Sequence, residues 1–164
     1  MCVSSITHRY GPNNKAEGIG YVVREAVFEN GAPKARSLYF HRHRGKMVAD
    51  RTSFAYGQEY TAVATPRVKY GFSGKTYTSG FHVFSDVNAA IEYLNRRLCA
   101  DRVIVRVRYS GIRYKAIQDG IPCLVVKKVK HYDVVAHVDE ECAMPIDELR
   151  CAANELSYCH MVLD

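Results

Sequence analysis

The chain has 164 residues, 48% apolar and 24% charged, a length at which a single domain buries roughly two-thirds of the surface its unfolded form exposes, so no disulfide or metal staple is required. This composition excludes the low-complexity and disordered classes, and no segment approaches the roughly 20 apolar residues of a membrane helix. The net charge of +6 hides an asymmetry: residues 1–132 hold 22 Lys/Arg and 9 Asp/Glu, residues 133–164 hold 1 and 8. A basic body favours polyanionic partners, and the acidic C-terminal segment either folds against it or presents a separate face.

The first residues, MCVSSITHRYGPNN, lack the apolar core of a signal peptide. A cytoplasmic location is therefore expected, and the six cysteines, which form no C-x-x-C pair, are expected to be free thiols. A Cys142–Cys159 disulfide stays open if the chain is secreted.

Residues 1–17, polar and turn-forming around Gly11-Pro12-Asn13-Asn14, predict a loose N-terminal arm. Gly20 to Phe28 is rich in β-branched and aromatic residues, Asn30-Gly31 marks a turn, and Ala35 to His41 is the expected partner strand of a hairpin. Arg51 to Thr78, with Tyr56, Tyr60, Tyr70 and Tyr77 among Gly, Ser and Thr, predicts short strands or ordered loops. Beyond Ser85, the spacing of Val87, Ala90, Ile91, Leu94 and Leu98 predicts a helix, with Ser85 as N-cap, Asp86 at its positive end and Arg96 and Arg97 at its negative end.

The run 102–109, RVIVRVRY, predicts a half-buried strand with Val103, Val105, Val107 and Tyr109 on one face and Arg102, Ile104, Arg106 and Arg108 on the other. Strands at 112–117 and 123–130 are expected around the turn dipeptide Asp119-Gly120. A last helix is expected after Pro145, with Ile146, Leu149, Ala153 and Leu156 at helical spacing. The fold class expected is α+β: a single domain, 1–164, whose antiparallel sheet carries one helix after residue 85 and a C-terminal helix.

Known catalytic patterns fail in this sequence. Gly71-Phe72-Ser73-Gly74 lacks the second spacer of a nucleophile elbow, Gly18-Ile19-Gly20 lacks the third glycine of a dinucleotide fingerprint, and Gly74-Lys75-Thr76 has Lys69 where a phosphate loop needs its first glycine. No cofactor is expected. His41 and His43 share a face on a strand but have no third ligand, so a metal site is not expected either. His131 and His137 are expected to be surface or structural.

Electrostatics supply the main constellation. Arg106, Arg108, Arg113, Lys115, Lys127, Lys128 and Lys130 fall on the predicted three-strand region beside Tyr109, Tyr114 and Tyr132, and Arg42, Arg44 and Lys46 form a second basic stretch. Cations neutralise phosphates and tyrosines stack on unpaired bases. The competing account is that alternating Lys and Arg keep a sheet soluble and its edges unpaired.

The segment Ser79-Gly80-Phe81-His82-Val83-Phe84, followed by Ala89-Ala90, Tyr93-Leu94 and the RVIVRVRY strand, resembles small accessory proteins of bacteriophages over residues 77–130. That resemblance implies a protein acting in the host cytoplasm on a host protein or ribonucleoprotein complex, including nucleic-acid-guided defence. The same segment resembles the glycine-phenylalanine-tyrosine stretch of ADP-ribosyltransferase folds, with His82 in place of the tyrosine and Phe84 in place of a small hydroxyl residue; this would imply an NAD-using enzyme, but the family's catalytic glutamate has no secure counterpart, since Glu140 and Glu141 lie beyond the strand region. The function expected is a non-enzymatic inhibitor or accessory protein that binds nucleic acid, or a host complex containing it, through a basic sheet. The alternatives are the NAD enzyme and an acidic segment that mimics phosphate toward a basic partner.

Overall fold

The computed structural model describes residues 3–38, 42–43, 46–47, 52–64, 66–72, 74–96 and 101–138. Among the described residues twelve strands and one helix follow in chain order: β1 (Ser5–Arg9), β2 (Glu17–Glu29), β3 (Ala32–Arg36), β4 (Arg42–His43), β5 (Lys46–Met47), β6 (Ser53–Ala55), β7 (Glu59–Thr61), β8 (Val68–Lys69), β9 (Thr76–Tyr77), β10 (Phe81–Val83), α1 (Val87–Asn95), β11 (Arg102–Gln118) and β12 (Ile121–Val138). The expected α+β class is thereby corrected. The described residues are mostly strand in a nearly closed, barrel-like sheet with one short helix, while the helix expected after Pro145 lies outside them. Among the described residues no helix is long and apolar enough to cross a membrane.

The main sheet runs β10-β12-β11-β2-β3-β6, with β1 added to β11 and β7 to β12. It curls because its two longest strands, β11 and β12, each bend. Straight strands of this length would span about 56 Å, but three register shifts and Gly111 at φ 71° interrupt their pairing, and such bulges increase bend and twist. The curl brings β2 back to the end of β10, where Tyr21 and Phe84 exchange backbone hydrogen bonds of 2.7 and 2.8 Å.

Both hairpin turns follow their dipeptides. Asn30 and Gly31 (φ 52° and 76°) join β2 to β3, and Asp119 and Gly120 (φ 52° and 79°) join β11 to β12, the paired positive φ values that such two-residue loops need. The two strands expected at 102–109 and 112–117 are one continuous strand, and residues 5–9 of the expected loose arm pair with β11 as β1.

Apolar residues fill two regions. Val22, Val83, Val103, Val105, Val107, Val126 and Val129 line the inside of the curl. On the other face Ala90, Ile91, Tyr93 and Leu94 of α1 pack onto Val23, Ile104, Val125 and Ala136. Ile104, expected on an outer face, is fully buried for this reason. Asp86, not Ser85, caps the helix, accepting from the Asn88 N–H. Glycines 18 and 20 form no dinucleotide loop. They lie within β2 under Tyr109, where a Cβ on Gly18 would fall 2.5 Å from the tyrosine Oη.

Candidate nucleic-acid interface

The sheet does not gather the predicted cations into one surface. Arg106 Nε pairs with Asp133 Oδ1 at 2.8 Å, Arg108 with Glu17 at 2.7 Å and Lys128 with Glu59 at 3.3 Å. Each pairing follows from strand order, because Glu17 begins the strand beside β11 and Glu59 begins the one beside β12. Lys127 donates to the Pro12 carbonyl and Arg113 to the Ser79 carbonyl. Arg113 is partly desolvated there, which lowers its pKa. Lys130 stands over the Tyr132 ring, 5.5 Å from its centroid, and directly opposite Arg108. Tyr109 is turned inward over the two glycines of β2. Arg42 and Lys46 occupy the short β4–β5 pair, and Arg44 lies outside the described residues.

A different group of cations enters no ion pair with a carboxylate among the described residues. Residues 1–16, 60–85 and 102–118 contain no Asp or Glu at all, and the fold brings parts of all three together. β1 pairs with β11 so that His8 lies opposite Lys115 and Arg9 opposite Tyr114. The β8–β9 hairpin leans on β1 through Arg9, whose Nη2 donates to the Thr76 carbonyl at 3.1 Å and reaches the Tyr70 hydroxyl at 3.5 Å. The Arg9 guanidinium also lies over the Tyr114 ring at 5.3 Å, and the Tyr114 hydroxyl accepts from the Thr78 N–H at 3.0 Å. Tyr70, Tyr77 and Tyr114 form an edge-to-face chain beneath this junction.

The exposed cations of this face are Arg9, Arg67, Lys69 and Lys75; Lys115, next to Tyr114 on β11 and opposite Leu124 of the inner cluster, points to the other side of the sheet. Arg9 bonds only to neutral groups, and Arg67 and Lys69 enter none of the ion pairs among the described residues. Phe72, at the hairpin tip between Lys69 and Lys75, is fully exposed at 111%. Of the predicted residues, Tyr114 belongs to this face. Arg9, Lys69 and Phe72 were missed, although the acid-free segments flanking them were visible in the sequence.

The segment carrying the second resemblance is turned inward. Gly80 backs onto the Val126 carbonyl, and His82 is buried, its Nδ1 bonded to Gln118 Oε1 at 2.9 Å. Burial pushes the His82 pKa down to about 4. The cavity beside it, lined also by Arg24, Gln118 and Tyr93, has room for about one water molecule, far short of a dinucleotide. Glu140 and Glu141 lie outside the described residues. His131, fully buried, is structural and His137 is exposed; no group of three His, Cys, Asp or Glu side chains suited to a metal ion occurs among the described residues. No protein-family model, curated protein or solved structure matches the chain.

Proposed function

We propose that the chain is a non-enzymatic accessory protein of the phage type, acting in the host cytoplasm, that binds nucleic acid or a host assembly containing it. The surface we assign to this contact is the face built from Arg9 of β1 and the β8–β9 hairpin. One observation carries the reading: cations on the outer sheet face are matched by Glu17, Glu59 and Asp133, whereas Arg9, Arg67 and Lys69 are exposed and enter none of the ion pairs among the described residues. Unmatched cations release counterions from phosphates on binding, and an exposed ring supplies a stacking partner for an unpaired base. Phe72 therefore favours single strands.

The test is fluorescence anisotropy with a labelled single-stranded oligonucleotide across a salt series. Arg67→Glu with Lys69→Glu should weaken binding at least about tenfold and flatten the salt dependence by more than about one unit of log–log slope, the value of two lost single-strand phosphate contacts. Arg108→Glu, at a cation already matched by Glu17, should change affinity less than about threefold. Absence of binding at low salt, or equal losses in both variants, would sink the proposal.

A further inference from the structure

Arg24 is the most deeply buried guanidinium among the described residues, 6% exposed on β2. Its Nη1 donates to the Val23 carbonyl at 3.1 Å, its Nε faces His131 Nε2 at 3.4 Å, and it lies over the Phe54 ring, 5.2 Å from the centroid. Those partners are all neutral. His131 is stacked on Phe54 at 4.8 Å, and burial, with the adjacent Arg24 charge, holds its pKa far below the ordinary range. The less buried Arg36 and Arg106 have carboxylates at 2.5 and 2.8 Å; Arg24 enters no ion pair among the described residues.

A cavity opens beside this charge, lined by Arg24, Leu38, His82, Phe84, Tyr93 and Gln118. It has room for about one water-sized sphere. His82, Gln118 and Tyr93 form one bonded chain, with Gln118 Nε2 donating to the Tyr93 hydroxyl at 3.2 Å, so their orientations are set by one another. Arg24 is the lining residue that carries a formal charge. A guanidinium has five N–H donors, and the contacts above engage two of its nitrogens, which leaves donors for a further acceptor.

A buried charge is costly unless an opposite charge compensates it. We infer that this cavity is a binding site for one small monovalent anion of halide size, held by Arg24. Polyatomic anions such as phosphate exceed the space. Halide at this position would neutralise the guanidinium and lock β2 against α1 and β10, whose Tyr93 and His82 form the opposite wall. The inference does not depend on the nucleic-acid face, since Arg24 and that face share no residue.

The experiment is the ³⁵Cl NMR linewidth of chloride in the presence of the full chain, together with the melting temperature in chloride against gluconate at constant ionic strength. Chloride should broaden on binding, bromide should reverse the broadening by competition, and chloride should raise the melting temperature saturably. Arg24→Met removes the charge. Leu38→Phe fills the space while leaving every bond of Arg24 in place, and it carries the test alone if the first variant does not fold. Both should abolish the bromide-reversible broadening. Broadening that persists equally in the folded variants would mark an adventitious ion only, on surface lysines. No broadening with the wild type would mean that water occupies the cavity. Either result overturns the inference.

Discussion

Two histidines buried as neutral rings make acid the sharpest probe of this fold. His82 and His131 are 8% and 0% exposed, and burial pushes their pKa values down to about 4 and about 2 from an ordinary 6.5. In the unfolded chain both rings take up a proton as pH falls through 6.5; in the folded chain they do not. The unfolded state therefore gains protons first, and stability that is complete above pH 6.5 is lost on acidification until the folded-state values are reached. Between pH 7.5 and pH 5 each ring should cost about 2 kcal/mol, or about 4 kcal/mol together, against a typical total of about 5–15 kcal/mol. Carboxylates add little in this window, because they titrate below it. Urea unfolding followed by circular dichroism at several pH values measures the loss. His82→Gln, which keeps a side chain able to bond Gln118, should remove about half of the pH dependence. A change below about 1 kcal/mol in the wild type would show that the rings are hydrated or already protonated in the folded state, and would refute the reasoning.

Gly80→Ala should destabilise by about 2 kcal/mol or more in urea unfolding, because the new Cβ would fall 2.6 Å from the Val126 carbonyl and 2.9 Å from Val125 Cγ1, forcing β10 off β12. Cys123 is buried and its thiol is pushed up to about 12 by desolvation; peptide-resolved iodoacetamide labelling at pH 8 should leave it unmodified in the folded protein and modify it fully in denaturant. Phe72→Ala should weaken single-strand binding by the roughly 1–3 kcal/mol of one stacked base and have no effect on an abasic strand of equal charge; identical losses on both strands would exclude stacking.

What could be read from residues in order was local. Helix α1 follows from four apolar side chains at helical spacing, and both two-residue turns follow from Asn-Gly and Asp-Gly, because these features depend on neighbours within a few positions. The inward set Val103, Val105 and Val107 was legible for the same reason, as strand side chains alternate. The fold class was not: β6 to β10 are 2–3 residues each, too short to show a period, and one bent strand interrupted at Gly111 looks like two. Whether a cation is free depended on partners far along the chain. Arg108 meets a glutamate 91 positions away, and Arg9 meets Thr76 and Tyr70 only because β1 lies along β11 beside the hairpin. Charge and local periodicity belong to the sequence, but the compensation of each charge is set by strand order, and strand order is decided by contacts between distant segments that close the sheet.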